Sequence, residues 1–245
     1  MNAPPSASPT PATASARALP RSWARYSAIE LLVALVILMI TAPLIEDLPS
    51  GDVIESALLT VVMVSAVVAI GGTRRTLVVA LLLLAPALFG KWANHLSPGR
   101  VSHFVYLVPA TLFFFFVVGH LVRFILRAPR VDANVLCAGL SGYLLLGLLW
   151  TPLYMAVFRW NVNGFTMPAG TTMDGFSAFY FSFMTLSTVG YGDIAPASRA
   201  ARMLAITEAV AGLFYVAVLI SRLVAIYSSA SPTPQPPEET GTTRR

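Results

Sequence analysis

Near the end of the chain, between two long apolar stretches, stands the sequence TVGYGD, residues Thr188 to Asp193. Its chemistry belongs to the main chain. Four consecutive carbonyl oxygens, those of Thr188, Val189, Gly190 and Tyr191, can replace the water around a dehydrated cation if all of them turn toward one axis. Turning successive carbonyls the same way requires backbone of alternating handedness, which a Cβ opposes at positive φ and glycine accepts. Gly190 and Gly192 stand at alternate positions, as this demands. Val189 and Tyr191 are expected to point away from the axis and pack behind the strand, Tyr191 with a hydrogen-bond partner for its hydroxyl. The Thr188 hydroxyl adds an inner oxygen site, Gly192 shapes the exit, and Asp193 sets a carboxylate at the mouth, where it draws cations and can bond to the frame of the loop.

Such a strand needs a scaffold at membrane depth, and the composition provides one. With 56% hydrophobic and only 11% charged residues in 245, the chain is too apolar for a soluble domain of this size. A bilayer core of about 30 Å needs about 20 apolar residues of helix, and six segments qualify: 28–45, 53–70, 77–92, 101–126, 135–158 and 200–227. The third is expected to be the shortest and carries Pro86. Between the fifth and sixth, Gly175 to Leu186 amounts to about 18 Å of helix, too short to cross, so it must enter and return. Asp174 is its expected N-cap, and its C-terminal end, the negative end of the peptide dipole, would face a cation.

The run YFSFMTLSTVGYGD, from Tyr180 to Asp193 with Phe179 before it, resembles the pore loop of potassium channels. With its flanking helices, about Asp132 to Tyr227, it is similar to the pore module of that superfamily. The resemblance implies an all-α membrane protein: six transmembrane helices, a re-entrant pore helix and a selectivity filter in a tetrameric pore, with K+ as the permeant ion. The expected organisation is a disordered cytosolic tail over 1–25, a four-helix transmembrane unit over 26–127, a pore domain over 132–228 and a second disordered tail over 229–245. One chain supplies one filter strand, and closed symmetry makes a homotetramer in a lipid bilayer the economical assembly. If the amino terminus is cytosolic, eleven of the sixteen basic residues lie inside, and six crossings bring the filter to the outer face of the cell membrane, where Glu46, Asp47, Asp52, Glu55 and Asp174 also gather.

Other residues carry expectations of their own. Gly212 falls midway along the sixth helix, where related pores place a glycine at which the inner helix bends, and close helix packing explains a missing Cβ equally well. Glu208, one turn earlier, is an ionisable group inside an apolar helix and must face the bundle interior or water. It is expected to hydrogen-bond, in a protonated state, to Ser182 or Thr185 and so support the filter from behind. Where some relatives pair the mouth aspartate with a pore-helix glutamate, this chain has Met184. Arg123, Arg127 and Arg130 end the fourth helix with no arginine upstream and no acid in the third, a pattern that fits positive-inside anchoring better than a voltage sensor. His95, His103, His120 and the single Cys137 are read as structural. Nothing pairs a nucleophile with a base or forms a phosphate loop, so no enzyme is expected and no organic cofactor. The net charge of +5 is spread over loops and helix ends without a basic, aromatic-interleaved patch, which argues against nucleic acid. Besides a potassium-selective channel, two readings stay open: a voltage-dependent potassium channel, and a non-conducting membrane subunit that assembles with or modulates other proteins.

Overall fold

The computed structural model describes residues 28–45, 48–71, 74–96, 102–130 and 132–229. The expected tails, 1–25 and the residues beyond 229, lie outside the described residues, as do Glu46, Asp47, Arg100 and the terminal arginines of the orientation argument.

Seven helices follow one another: α1 Ala28–Ile45, α2 Gly51–Ile70, α3 Arg74–Leu96, α4 Phe104–Arg127, α5 Ala133–Trp160, α6 Gly175–Leu186 and α7 Arg199–Ser229. All but α6 are long and apolar enough to cross a membrane. The chain is therefore an all-helical, multi-pass membrane protein, the architecture in which every spanning amide is bonded within its own segment. The helices α1 and α6 run as the apolar pattern predicts. At α3 the structure corrects the sequence: the helix has 23 residues and Pro86 lies inside it, so the shortest span is α1 with 18. Polar residues at its outer end look like a loop, yet they continue the helix because α2 offers them partners. Lys91 Nζ donates to Glu55 Oε1 at 3.0 Å and Trp92 Nε1 to Thr60 Oγ1 at 3.3 Å.

The first four helices stack on one side of α5: α4 lies along both α3 and α5, and α1 along α2 and α5. The helix α6 packs against both α5 and α7, with its first residue, Gly175, close to Glu55 of α2. Thus α5 is the wall shared by both halves, and 56% of its span is buried against 11% for α7. Two short strands absent from the sequence reading, β1 Phe165–Thr166 and β2 Ala195–Pro196, pair antiparallel and join the segment before α6 to the one that follows Asp193. At the opposite end, Arg222 Nη2 of α7 donates to the main-chain oxygen of Ala128, the residue that ends α4.

The start of α5 is set by Asp132, whose Oδ1 accepts from the Val135 amide at 2.9 Å. Replacing it tests that cap: Asp132→Ala is expected to cost about 1 kcal/mol and Asp132→Asn much less, read as thermal unfolding of the purified protein in lipid nanodiscs.

Candidate functional site

The strand after α6 has alternating handedness. Thr188 has φ 59°, Gly190 φ 54° and Gly192 φ 83°, with Val189 and Tyr191 between them at ordinary φ. The two glycines occupy this region without penalty, whereas Thr188, the one non-glycine residue with positive φ among the described residues, is held there at a cost of about 1–3 kcal/mol. What holds it is the end of α6. The Thr188 amide donates to Thr185 O at 3.0 Å, and the amides of Val189 and Gly190 both donate to Met184 O, at 3.0 and 3.2 Å. Amides so engaged leave the carbonyls of Thr188, Val189, Gly190 and Tyr191 free of main-chain donors among the described residues.

The helix α6 begins as predicted, with Asp174 Oδ1 accepting from the Ser177 amide at 2.8 Å. Beyond the filter, Gly164 O accepts from the amides of Ala197 and Ser198 at 2.9 and 3.0 Å, so the β1–β2 pair and this clasp fasten the exit to the loop that precedes α6. Asp193 is exposed, and its carboxylate acts on the Tyr180 phenol of α6. Desolvation and the nearby aspartate hold the Tyr180 phenol above its ordinary range. The sequence reading gave Tyr180 no role of its own. A phenol on the helix that precedes a mouth carboxylate is the signal that would have found it.

Behind the filter, Glu208 is fully buried and joins three helices. Ser182 of α6 lies 2.5 Å from Glu208 Oε1 and 2.7 Å from Gly147 O of α5, while the Tyr154 hydroxyl of α5 donates to Glu208 Oε2. Ser182 has one hydroxyl hydrogen and two acceptors in reach. Both contacts are satisfied together when Ser182 donates to Gly147 O and the carboxyl itself donates to Ser182, which is the bonding of a neutral acid. Of the two hydroxyls expected to meet Glu208, Ser182 does so, whereas no hydrogen bond joins Thr185 to Glu208 among the described residues. Tyr154 went unnoticed in the sequence because it sits in an apolar helix 54 residues away.

Gly212 lies inside the unbroken α7, where a Cβ would come within 2.7 Å of Leu186 O and 2.8 Å of its Cδ1. The close approach of two helices is thus a sufficient reason for the glycine. Val189 and Tyr191 depart from expectation: 51% and 74% exposed, they have no wall behind them within their own chain. The apolar side chains Met203, Ile206, Val210, Leu213 and Phe214 on α7 are exposed too. Arg123, Arg127 and Arg130 are exposed, and the one salt bridge among the described residues is Lys91 with Glu55, at the opposite end.

Residues 143–229, 87 of the 245, match a family model described as an ion channel. Over 62 residues the chain is 42% identical to two pore potassium channel c of Oryza sativa subsp. japonica, covering 25% of this chain and 14% of that protein. Over 83 residues it is 37% identical to two pore potassium channel b of the same plant, 34% of this chain and 21% of that protein. Over 37 residues it is 54% identical to the voltage-gated potassium channel Kch of Escherichia coli strain K12, 15% of this chain and 9% of that protein. The chain thus spans about a fifth or less of the length of these relatives. No solved structure matches it.

The Glu208 contacts separate charge from hydrogen bonding. Glu208→Ala strands two buried hydroxyls and is expected to lower stability by about 2 kcal/mol or more, whereas Glu208→Gln, a neutral group with donor and acceptor, is expected to stay within about 1 kcal/mol of the parent in thermal unfolding.

Proposed function

We propose that this chain, whose pore segment is that of the potassium channel superfamily, forms a potassium-selective pore through which K+ moves passively down its electrochemical gradient. The observation that carries this reading is the alternation of positive φ at Thr188, Gly190 and Gly192 with the amides turned back to α6. That backbone leaves four carbonyl oxygens in series to replace hydration water, with the Thr188 hydroxyl as the innermost ligand and Asp193 concentrating cations at the exit. The potassium channels named above support potassium as the ion.

The pore is a homotetramer with the filter at the outer face of the cell membrane and both termini in the cytosol. Coordination around an axis needs four strands, and each chain has one. The exposed Val189 and Tyr191 and the uncovered apolar face of α7 are the surfaces that three further copies would cover. Glu208, Ser182 and Thr185 support the filter from behind, and Gly212 sets how closely α7 approaches it. The exposed Arg123, Arg127 and Arg130, with no acid in α3 to receive them, favour anchoring at the cytosolic surface, so conductance should depend only weakly on voltage.

Purified protein in liposomes is expected to take up rubidium against a potassium gradient at least about tenfold faster than sodium. Gly190→Ala, forced to place a Cβ at φ 54°, should abolish that uptake while the protein still inserts. Equal passage of sodium, or no uptake by protein that cross-links as a tetramer, would sink the reading and leave a non-conducting subunit.

A further inference from the structure

Between the first four helices and the pore helix runs a crevice of about 190 Å³ that continues outward into a second cavity of about 180 Å³. The two share Asp52, Glu55, Lys91, Tyr106, Met155 and Asp174 and so form one passage from the outer surface to bilayer depth. Its inner part is walled by Leu59, Ala110, Phe114, Leu148, Met155 and Phe179. An apolar cavity of roughly 150 Å³ in a helical protein already takes up a benzene-sized guest, so the inner part alone has room for an apolar body.

The outer part determines what kind of head such a guest carries. Its acids are Asp52, Glu55 and Asp174 and its cations Lys91 and Arg159, with Glu55 and Lys91 already paired at 3.0 Å. Asp174 Oδ1 is engaged as the cap of α6. Burial and the charge of Arg159 hold the His103 imidazole below its ordinary range, which leaves it uncharged at neutral pH. A mouth with both signs present favours neither an anionic nor a cationic head. Among the residues that line the outer cavity, Asn94 has a buried Oδ1 with no donor among the described residues. A carbonyl oxygen left in this way is completed by a hydroxyl or amide hydrogen.

We propose that this crevice is a binding site for a small uncharged amphiphile, a hydroxyl at its head near Asn94 and an apolar body against Leu59, Phe114 and Met155. Its floor is the first turns of the pore helix, Gly175, Phe176 and Phe179. The same helix ends in the Met184 and Thr185 carbonyls that hold the filter amides. A guest that fits one tilt of α6 better than another therefore shifts the population of conducting filters. Binding stands by itself, and only this effect on permeation rests on the pore reading above.

The probe is octanol carrying a diazirine on its chain, photolysed with the full-length protein in liposomes and mapped by mass spectrometry. Labels are expected on Leu59, Met155 or Phe179, and Ala110→Trp, which fills the crevice, should reduce them at least about fivefold. Ala110→Leu provides a graded filler if the tryptophan variant does not fold, and Leu148→Ala, which widens the crevice, should raise labelling. Asn94→Leu should weaken labelling by the alcohol but not by the matching diazirine-bearing alkane. Labels confined to lipid-facing residues such as Leu82, Phe89 and Phe115, or undiminished in both Ala110 variants, would overturn the site. In the flux arm, octanol should change rubidium uptake at least about twofold in the parent and not in Ala110→Trp. Parent protein labelled in the crevice with unchanged uptake would retain the site and overturn its coupling to the filter.

Discussion

A strand whose carbonyls are left without main-chain donors must still bond its amides, because nothing at membrane depth makes an unpaired amide cheap. Here that duty falls on the last turn of α6. Its unpaired carbonyls, which every helix end leaves, are the acceptors for Thr188, Val189 and Gly190. The length of α6, its cap at Asp174 and its place between α5 and α7 all serve to put those few oxygens where the strand can reach them. The strand 188–192 is thereby an extension of a helix terminus, and its strain at Thr188 is held by bonds within a single chain.

The second layer is polar and fully buried. Hydrogen bonds between membrane helices are modest one by one, around 0.6 kcal/mol on average. Glu208, Ser182, Tyr154 and the Gly147 carbonyl act as a group, and the group spans α5, α6 and α7 at the level just behind the filter. Apolar packing alone would let three smooth helices slide past one another. The hydrogen bonds that Ser182 makes to Glu208 and to the Gly147 carbonyl fix the register of the three helices beside the 188–193 strand.

The alternating backbone of 188–192, the short helix α6 and its cap at Asp174 were legible in the sequence because each depends on local rules: glycine at alternate positions, an apolar segment too short to span, a carboxylate three residues before the amide it accepts. The six spans were legible for a similar reason, although the outer end of α3 was not. There Lys91 and Trp92 continue a helix only because Glu55 and Thr60 lie across from them, and no window along one helix contains that information. Glu208 signalled itself as an isolated acid in an apolar helix, yet its choice of Ser182 and Tyr154 over Thr185 is a matter of how three helices rotate. Val189 and Tyr191 show the converse limit. Their expected packing has no partner among the described residues of this chain, and no pattern along the sequence could show that.

One contact links the two halves of the molecule on the side away from the filter, where the Arg222 guanidinium bonds the carbonyl of Ala128. Its acceptor is a main-chain atom. Drift in the identity of residue 128 therefore leaves the acceptor in place so long as the side chain stays small enough for that buried position, while any loss of the guanidinium removes the tie outright. The junction is tolerant on one partner and intolerant on the other, an asymmetry in mutational robustness that a pair of side chains would not have.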